Sequence, residues 1–234
     1  MKRVLSLIIL TLSLYSCNVI SGNGNVRSEV RNTPAFTGVN SMGSADVEIR
    51  KGVTPSVRVE DDENLLPYLE TEVEGGVLRI SYKSGIFVNH DHAKIYITAP
   101  TLDQVNTSGS SDLLIQDTLS NPSGIEMRVS GSGSIKGMVD APSIHLAVSG
   151  SGSIDLGGRT QKLTAEVSGS GDLHCSDLLS ENTKVHVSGS GNAHVFASVS
   201  LDASVSGSGD VFYLGNPPSP VISTSGSGSV RAGK

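Results

Sequence analysis

The sequence has no tryptophan, only two cysteines and few aromatic residues. Aromatic side chains make up 4% of its 234 residues, so a hydrophobic core has to be built from Val, Ile, Leu and Ala. Without tryptophan the chain lacks the usual platform for stacking sugars, and Phe212 with Tyr213 is its best aromatic pair. The two cysteines, Cys17 and Cys175, do not amount to the disulfide framework of a small secreted domain.

Positive charge is also in short supply. The chain carries 17 Lys and Arg residues against 23 Asp and Glu residues, which gives a formal net charge of −6. This charge becomes −8 if Lys2 and Arg3 are removed with an N-terminal leader. Because an acidic chain is repelled by polyanions, we expect no nucleic-acid partner and no attraction to an anionic membrane surface.

The N-terminus has the composition of a secretory leader. Lys2 and Arg3 precede an apolar run over residues 4–14 that is too short to span a bilayer. The run ends in Leu14-Tyr15-Ser16-Cys17, which resembles the cleavage site of a bacterial lipoprotein. We therefore predict a signal peptide over residues 1–16 and lipidation of Cys17, so that acyl chains hold the protein to a membrane. An ordinary secretory signal followed by an incidental cysteine is the alternative.

The stretch after Cys17 has no apolar periodicity. Residues 18–25 are polar and Gly-rich, which is typical of a flexible linker. We predict that residues 17–30 form a tether between the lipid anchor and the globular part.

The second half of the chain repeats a Ser-Gly-Ser-Gly tetrapeptide seven times. Successive copies begin 22, 19, 19, 20, 18 and 19 residues apart. A constant interval near 19 residues indicates one structural unit that is stacked many times. The copies begin at Ser108 (as Ser-Gly-Ser-Ser), Ser130, Ser149, Ser168, Ser188, Ser206 and Ser225.

Apolar and polar residues alternate on both sides of each tetrapeptide. In the unit around Ser168, Ala165 and Val167 precede the corner and Leu173 and Cys175 follow it, with polar residues between them. Alternation with a period of two is typical of strands that bury one face. A single strand–corner–strand unit cannot cover this face, whereas stacked units pair in parallel and bury a continuous apolar column.

The repeat therefore predicts an all-β fold, a single-stranded right-handed parallel β-helix with about 19 residues per coil. We assign residues 106–234 to the regular β-helix and residues 31–105 to a less regular N-terminal β portion or cap. Within this portion the sequence predicts a hairpin over residues 71–82 around Gly75-Gly76, a strand over residues 93–99 and one short helix within residues 61–70.

The glycines of the tetrapeptide have a structural explanation. Gly tolerates a positive φ and lets the corners of neighbouring coils approach closely, which residues with a Cβ do not. The serines are expected to hydrogen-bond backbone groups at the bend, and the next position always holds a turn-capping Asp, Asn or Ser. The glycines at the second corner position are Gly109, Gly131, Gly150, Gly169, Gly189, Gly207 and Gly226.

Three segments together resemble a known protein family. They are Phe36-Thr37-Gly38-Val39 with Gly43-Ser44-Ala45-Asp46-Val47, the stretch Asn64-Leu65-Leu66-Pro67-Tyr68 followed by Leu78-Arg79-Ile80, and the Ser-Gly-Ser-Gly corners. The chain resembles the putative auto-transporter adhesins with a head GIN domain, a domain of unknown function in Bacteroides-type secreted lipoproteins. The resemblance covers about residues 30–234 and implies a right-handed β-helix without established enzymatic activity. The adhesin name rests on likeness of fold, and this chain lacks the translocating barrel of an auto-transporter.

Candidate metal ligands are few. His90 and His92 stand two apart on one strand face, and His174 and His194 occupy equivalent outward positions of consecutive coils. Both pairs lack a third ligand, so polar surface is the favoured interpretation and we expect no metal and no cofactor. Corners such as Gly169-Ser170-Gly171-Asp172 are similar to calcium-binding β-rolls, but those repeat every nine residues.

Two further observations bear on chemistry. Cys175 shares its position with Leu156 and Val195 of neighbouring coils and is expected to be a buried apolar residue. The outward positions carry scattered single charges and not the clustered acids and bases of a polysaccharide-cleaving enzyme. We therefore expect a protein without catalytic activity.

Two functions are compatible with the sequence. The first is a non-enzymatic lipoprotein of the outer membrane, an adhesin or surface-binding module that contacts a host or cell-surface glycan or protein. The alternative is a periplasm-facing structural or self-associating envelope protein. It rests on the last corner at Ser225, which is followed by few residues and leaves the C-terminal end without an evident cap. The sequence leaves open which face of the outer membrane the protein occupies.

Overall fold

The computed structural model describes residues 18–89 and 93–233, and all regular structure within these ranges is β. These ranges contain no helix that is long and apolar enough to cross a membrane. In chain order the strands are β1 (Asn18–Ser21), β2 (Val26–Arg31), β3 (Gly38–Gly43), β4 (Asp46–Lys51), β5 (Ser56–Asp62), β6 (Leu69–Glu74), β7 (Val77–Tyr82), β8 (Ile86–Asn89), β9 (Lys94–Ala99), β10 (Gln104–Gly109), β11 (Asp112–Ile115), β12 (Leu119–Ser120), β13 (Ile125–Gly131), β14 (Ser134–Asp140), β15 (Ser143–Gly150), β16 (Ser153–Gly169), β17 (Asp172–His174), β18 (Leu178–Gly189), β19 (Asn192–Phe196), β20 (Ser200–Gly207), β21 (Asp210–Leu214), β22 (Val221–Gly226) and β23 (Ser229–Ala232).

The strands stack into a parallel β-solenoid, which confirms the predicted β-helix. The strand before each corner pairs in register with its equivalent in the next coil, in the order β7, β3, β10, β13, β15, β16, β18, β20, β22. The strand after each corner does the same, in the order β9, β4, β11, β14, β16, β17, β19, β21, β23. Each apolar residue therefore lies above its equivalent in the preceding coil.

The inner column contains the aliphatic residues that the alternation predicts. Val129, Val148, Val167 and Val187 are buried before the corners, and the equivalent positions after the corners are also buried. Cys175 lies in the same column with no exposed surface. A third, narrower side is formed by β12, the end of β14, the middle of β16 and the start of β18.

The N-terminal residues extend the same stack. β3 pairs with β10 over Gly38–Gly43, so the regular coils begin earlier than the Ser-Gly-Ser-Gly repeat does. β6 and β7 form the predicted antiparallel hairpin around Gly75-Gly76, and β9 is the predicted strand near residues 93–99. The expected short helix is wrong: residues 63–68 form consecutive turns, with Leu65, Leu66 and Leu69 buried beneath them.

The predicted tether is also wrong for the residues that the structure describes. Residues 18–21 form β1, which pairs in parallel with β8, and residues 26–31 form β2, which pairs antiparallel with β5. The connection between them is fixed by Asn64, whose side chain accepts from the Asn23 N–H (3.0 Å) and donates to the Ser21 carbonyl (2.9 Å). Backbone pairing, which needs no apolar side chain, accounts for the difference.

Candidate functional site

Backbone hydrogen bonds join each glycine corner to the corner of the next coil. At the seven predicted positions φ lies between 105° and 131°, a region that residues with a Cβ rarely adopt. The Gly109 carbonyl accepts hydrogen bonds from the N–H groups of Ser132 (2.8 Å) and Gly133 (3.1 Å) of the next coil, and the later corners repeat the pattern. A Cβ at Gly189 would stand 2.3 Å from the Gly169 carbonyl oxygen. These glycines therefore act in packing.

The hydrogen bonds expected from the corner serines are made by the following position instead. Within residues 18–89 and 93–233, the first and third residues of the seven tetrapeptides donate no side-chain hydrogen bond. Asp172 Oδ1 accepts from the Asn192 backbone and side chain (2.9 and 3.1 Å), and Asp210 Oδ1 accepts from the Ser229 hydroxyl (2.5 Å). The bond from Ser229 lowers the pKa of the Asp210 carboxyl below its usual range, and the charge of Arg231 acts in the same direction.

One corner departs from the glycine rule for a visible reason. Ser111 occupies the fourth position. From Gly152 on, a Cβ added at this position would meet a backbone carbonyl oxygen and also a valine Cγ1 of the preceding coil. Beneath Ser111 the residue is Ser41, which is smaller than valine and exchanges a hydrogen bond with the Ser111 hydroxyl (2.9 Å). The smaller partner makes room for the side chain.

The structure brings together one of the two histidine pairs. His174 and His194 are register partners with ring centroids 5.6 Å apart, and His194 stacks on Phe212 at 4.9 Å. Within the described ranges no group of three or more His, Cys, Asp or Glu side chains could hold a metal ion. His90 and His92, like Cys17, lie outside the described residues. His174, His194 and Phe212 form a stacked outer surface, and the expectation that the histidines hold no metal stays a prediction.

Cys175 is positioned away from any reactive surface. The side chain is fully buried, and this burial raises the pKa of its thiol to about 12. At neutral pH the thiol is therefore protonated and a poor nucleophile.

A concavity lies on the third side of the solenoid, between β14 and β19. This third-side groove has a volume of about 350 Å³ and spans four consecutive coils. It is lined by Asp140, Ala141, Pro142, Arg159, Thr160, Gln161, Leu179, Ser180, Glu181, Phe196 and Ser198.

The floor of the groove is held by hydroxyl groups. Thr160 donates to the Lys162 carbonyl (3.1 Å), Ser180 to the Asn182 carbonyl (3.2 Å) and Thr183 to the Phe196 carbonyl (2.6 Å). These bonds satisfy backbone groups where the chain turns from the third side into the next coil. The floor is consequently held by hydrogen bonds between side chains and backbone.

The rim of the groove combines charge with apolar surface. Asp140, Arg159 and Leu179 are register neighbours in consecutive coils, and Glu181 and half-buried Phe196 lie further along. In the described part of the chain, Arg159 takes part in no ion pair, so its guanidinium is free to contact a ligand. The groove can thus offer donors, acceptors and an aromatic face at once.

Sequence patterns provide little indication of this groove. Its residues belong to the return segments, which follow no repeating pattern and differ in length from coil to coil. The only signal is that Arg159, Gln161 and Glu181 stand in segments where a solenoid needs only a turn. Such a signal does not distinguish a binding surface from ordinary polar exposure.

Comparisons of sequence and of structure with known proteins both find putative adhesins. A family model described as "Putative auto-transporter adhesin, head GIN domain" matches residues 35–217. No curated protein matches the sequence. The chain is similar in structure to a putative adhesin from Bacteroides fragilis NCTC 9343, with a TM-score of 0.85 and 20% identity over 91% of this chain and 99% of that chain.

Two further solved structures are similar over most of their length. One is a putative lipid binding protein from Parabacteroides distasonis ATCC 8503, with a TM-score of 0.78 and 28% identity over 93% of this chain and 100% of that chain. The other is a putative adhesin from Parabacteroides merdae ATCC 43184, with a TM-score of 0.71 and 20% identity over 93% of this chain and 100% of that chain.

Proposed function

Because the chain belongs to the family described as putative auto-transporter adhesins with a head GIN domain, we propose that it is a lipid-anchored binding module of the bacterial outer membrane. In this proposal Cys17 carries the lipid and the solenoid displays a rigid binding surface. The family and its structural relatives support an adhesin-like protein of the cell surface or envelope. The ligand and the lipid anchor are the proposed parts.

The observation that carries the proposal is the third-side groove. Its floor is fixed by side-chain to backbone hydrogen bonds, so little conformational entropy is lost when a ligand binds. The groove crosses four coils, a length that suits an extended polymer better than a compact metabolite. A rigid, elongated, partly charged concavity is suited to a chain of polar units.

We infer that the ligand is a glycan. Sugar hydroxyl groups can pair with Arg159, Gln161 and Glu181, and an apolar sugar face can lie against Phe196. A lipid acyl chain suits the groove poorly because charged side chains stand on its rim. The interior of the coils is filled by aliphatic residues, so the solenoid core is also unsuited to a lipid.

A glycan and mucin screen with the mature domain tests this function. We expect binding that falls at least tenfold in Arg159→Ala and in Phe196→Ala. Arg128→Ala is the matched control, because Arg128 is an exposed arginine on β13, lies outside the groove and pairs with Glu126. No binding to any glycan, or equal losses in all three variants, would contradict the proposal.

Protease treatment of intact cells tests the location. Loss of the mature domain, detected with an antibody, would support display at the cell surface. Protection until the outer membrane is opened would support a periplasm-facing protein and contradict the adhesin function.

One observation favours self-association as a second function. Among the described residues, β22 pairs only with β20 and β23 only with β21, so each of these two strands presents an unpaired edge. Ile222 occupies an inward position but remains 45% exposed, and β22 contains no charged residue. Uncharged open edges are the usual route to pairing with another chain.

Sedimentation velocity over a range of protein concentrations distinguishes this function. We expect association that weakens at least tenfold in Ile222→Lys, because a lysine on the edge opposes pairing. Val53→Lys is the control, since Val53 is an exposed loop residue distant in sequence from β22. A monomer at all concentrations would rule out this function.

A further inference from the structure

β1 and β8 form a small two-stranded sheet of their own at the N-terminal end of the solenoid. In chain order β8 lies between β7 and β9, where the regular coils have a glycine corner. Val19 of β1 and Phe87 of β8 are register partners on the outer face of this sheet. They are 63% and 55% exposed, although both are large apolar residues. We call this pair the β1–β8 patch.

The patch lies immediately beside the proposed lipid attachment point. Only one residue separates Cys17 from Val19, so their Cα atoms are at most about 7 Å apart. Had residues 17–30 been a flexible tether, the anchor would have left the domain free to move away from the membrane. β1 pairs with β8, Asn64 binds the connection after β1, and β2 pairs with β5 of the main sheet. A lipid on Cys17 would therefore hold this end of the solenoid at the bilayer surface.

The electrostatics of the sheet allow this approach. The mature chain is acidic overall, which opposes contact with an anionic bilayer. β1 and β8 nevertheless contain no charged residue, and the connection after β1 presents Asn23 and Asn25. The uncharged sheet with an aromatic tip is therefore the part of this end that can enter the headgroup region at the lowest cost.

From these observations we propose that the β1–β8 patch is a membrane-contacting surface that inserts Val19 and Phe87 into the outer edge of the bilayer. The proposal rests on lipidation of Cys17 in the proposed function. The acyl chains would supply most of the affinity, and the patch would fix the orientation of the solenoid. A second copy of the chain is a weaker candidate, since two side chains fall far short of the roughly 800 Å² per partner of a stable interface.

The absence of tryptophan permits a direct test. In the full lipidated chain, Phe87→Trp introduces a single fluorophore at the patch, and Val221→Trp places one at the opposite end of the stack. Val221 is the matched control because it is 63% exposed, like Val19. The chains are reconstituted in vesicles of phosphatidylethanolamine and phosphatidylglycerol, with and without brominated acyl chains.

We expect a blue-shifted emission and at least twofold quenching by brominated lipid for Phe87→Trp, and neither effect for Val221→Trp. Adding Val19→Ser to Phe87→Trp should reduce the quenching. Water-like, unquenched emission from a chain that floats with the vesicles would overturn the proposal. A blue shift that grows with protein concentration but ignores bromine would also overturn it, in favour of a second copy.

If Cys17 is not lipidated, the experiment gives a result that differs from failure of the patch to contact the membrane. If wild-type chain carries no acyl group on Cys17 by mass spectrometry and does not float with vesicles, the proposed lipidation is wrong, whatever the fluorescence shows. Cys17→Ser provides the reference for this state, since it removes the only thiol available to the lipid.

Discussion

Two separate constraints favour glycine at the corners: a positive φ, and in the stacked coils a close neighbour as well. Gly189 has φ of 125° and its missing Cβ would meet the Gly169 carbonyl oxygen at 2.3 Å. Gly43, in the first corner, has φ of 128° but nothing within 4 Å of a Cβ. The two glycines therefore differ only in the coil beneath them.

We predict that Gly43→Ala lowers the free energy of unfolding by about 1–3 kcal/mol, the usual cost of strained backbone. Gly189→Ala should cost about 3 kcal/mol or more, because the carbonyl it would touch also accepts two hydrogen bonds from the next coil. Urea unfolding followed by circular dichroism measures both. Equal losses would mean that close packing of the corners contributes little.

The Asp210 carboxyl makes the stability of the folded state depend on pH. The Ser229 hydroxyl bond, the Ser229 N–H and the charge of Arg231 lower the pKa of its carboxyl, against a smaller opposing effect of desolvation. The folded pKa lies below the unfolded value of about 3.9. The stability contributed by this group is therefore present above that value and is lost as the pH falls through the folded pKa.

We predict that Ser229→Ala raises the pKa of Asp210 toward its ordinary range, measured by NMR titration of the carboxyl carbon. Ser227→Ala is the control, because the Ser227 side chain makes no hydrogen bond in the described part of the chain. A pKa that stays depressed in Ser229→Ala would show that the hydroxyl is not the main cause.

At the scale of elements, β2 contributes through its backbone. Its residues are exposed apart from half-buried Arg31, yet it covers the outer edge of β5. β5 alternates buried Val57 and Val59 with Arg58 and Glu60, so an uncovered β5 would be an open edge next to an apolar face.

We predict that a chain lacking residues 18–31 keeps its circular dichroism spectrum but associates more than the parent chain in sedimentation velocity. A variant with Arg27→Ala and Glu29→Ala keeps the strand and loses only charges, so it should behave like the parent. If this charge variant associates as strongly as the deletion, side-chain charge and not edge coverage is the protecting feature.

Sequence predicted some elements and not others for identifiable reasons. The regular coils follow from alternating residues such as Ala165, Val167 and Leu173, because burial of one strand face leaves a period of two. β2 leaves no such trace, since its side chains face solvent. Leu65, Leu66 and Leu69 have a spacing that is compatible with a helix, yet the chain forms consecutive turns after Asp62.

The candidate site is harder to predict from the sequence than the fold is. The corner glycines and the buried Cys175 could be placed from repeat position alone. The third-side groove could not, because it arises from return segments whose conformations differ from coil to coil. The pairing of β1 with β8 depends on segments about 65 residues apart, and nothing local encodes it.

On the scale of the whole molecule, stability should vary along the stack. Central coils have neighbours on both sides, whereas β22 is paired on one side only and all of its residues are exposed. In a stacked repeat the contacts of each coil reach only its neighbours, so the ends open first.

We predict the fastest amide hydrogen exchange in residues 221–226 and the slowest in β16 and β18, measured by mass spectrometry. Uniform protection along the chain would indicate that the last coil is covered, for instance by another copy. Ile222→Lys then provides the check, because it should restore fast exchange in β22.

The register of the corners makes a coil an interchangeable unit of length. Removing residues 169–188 would join Ser168 to Gly189 and recreate the same tetrapeptide, leaving every remaining strand opposite an equivalent partner. Nine strands, from β7 to β22, are stacked before the corners, and at about 4.8 Å per step they span roughly 40 Å. The number of coils therefore sets the distance between the two ends of the solenoid, and this distance changes by one strand spacing for each coil added or removed.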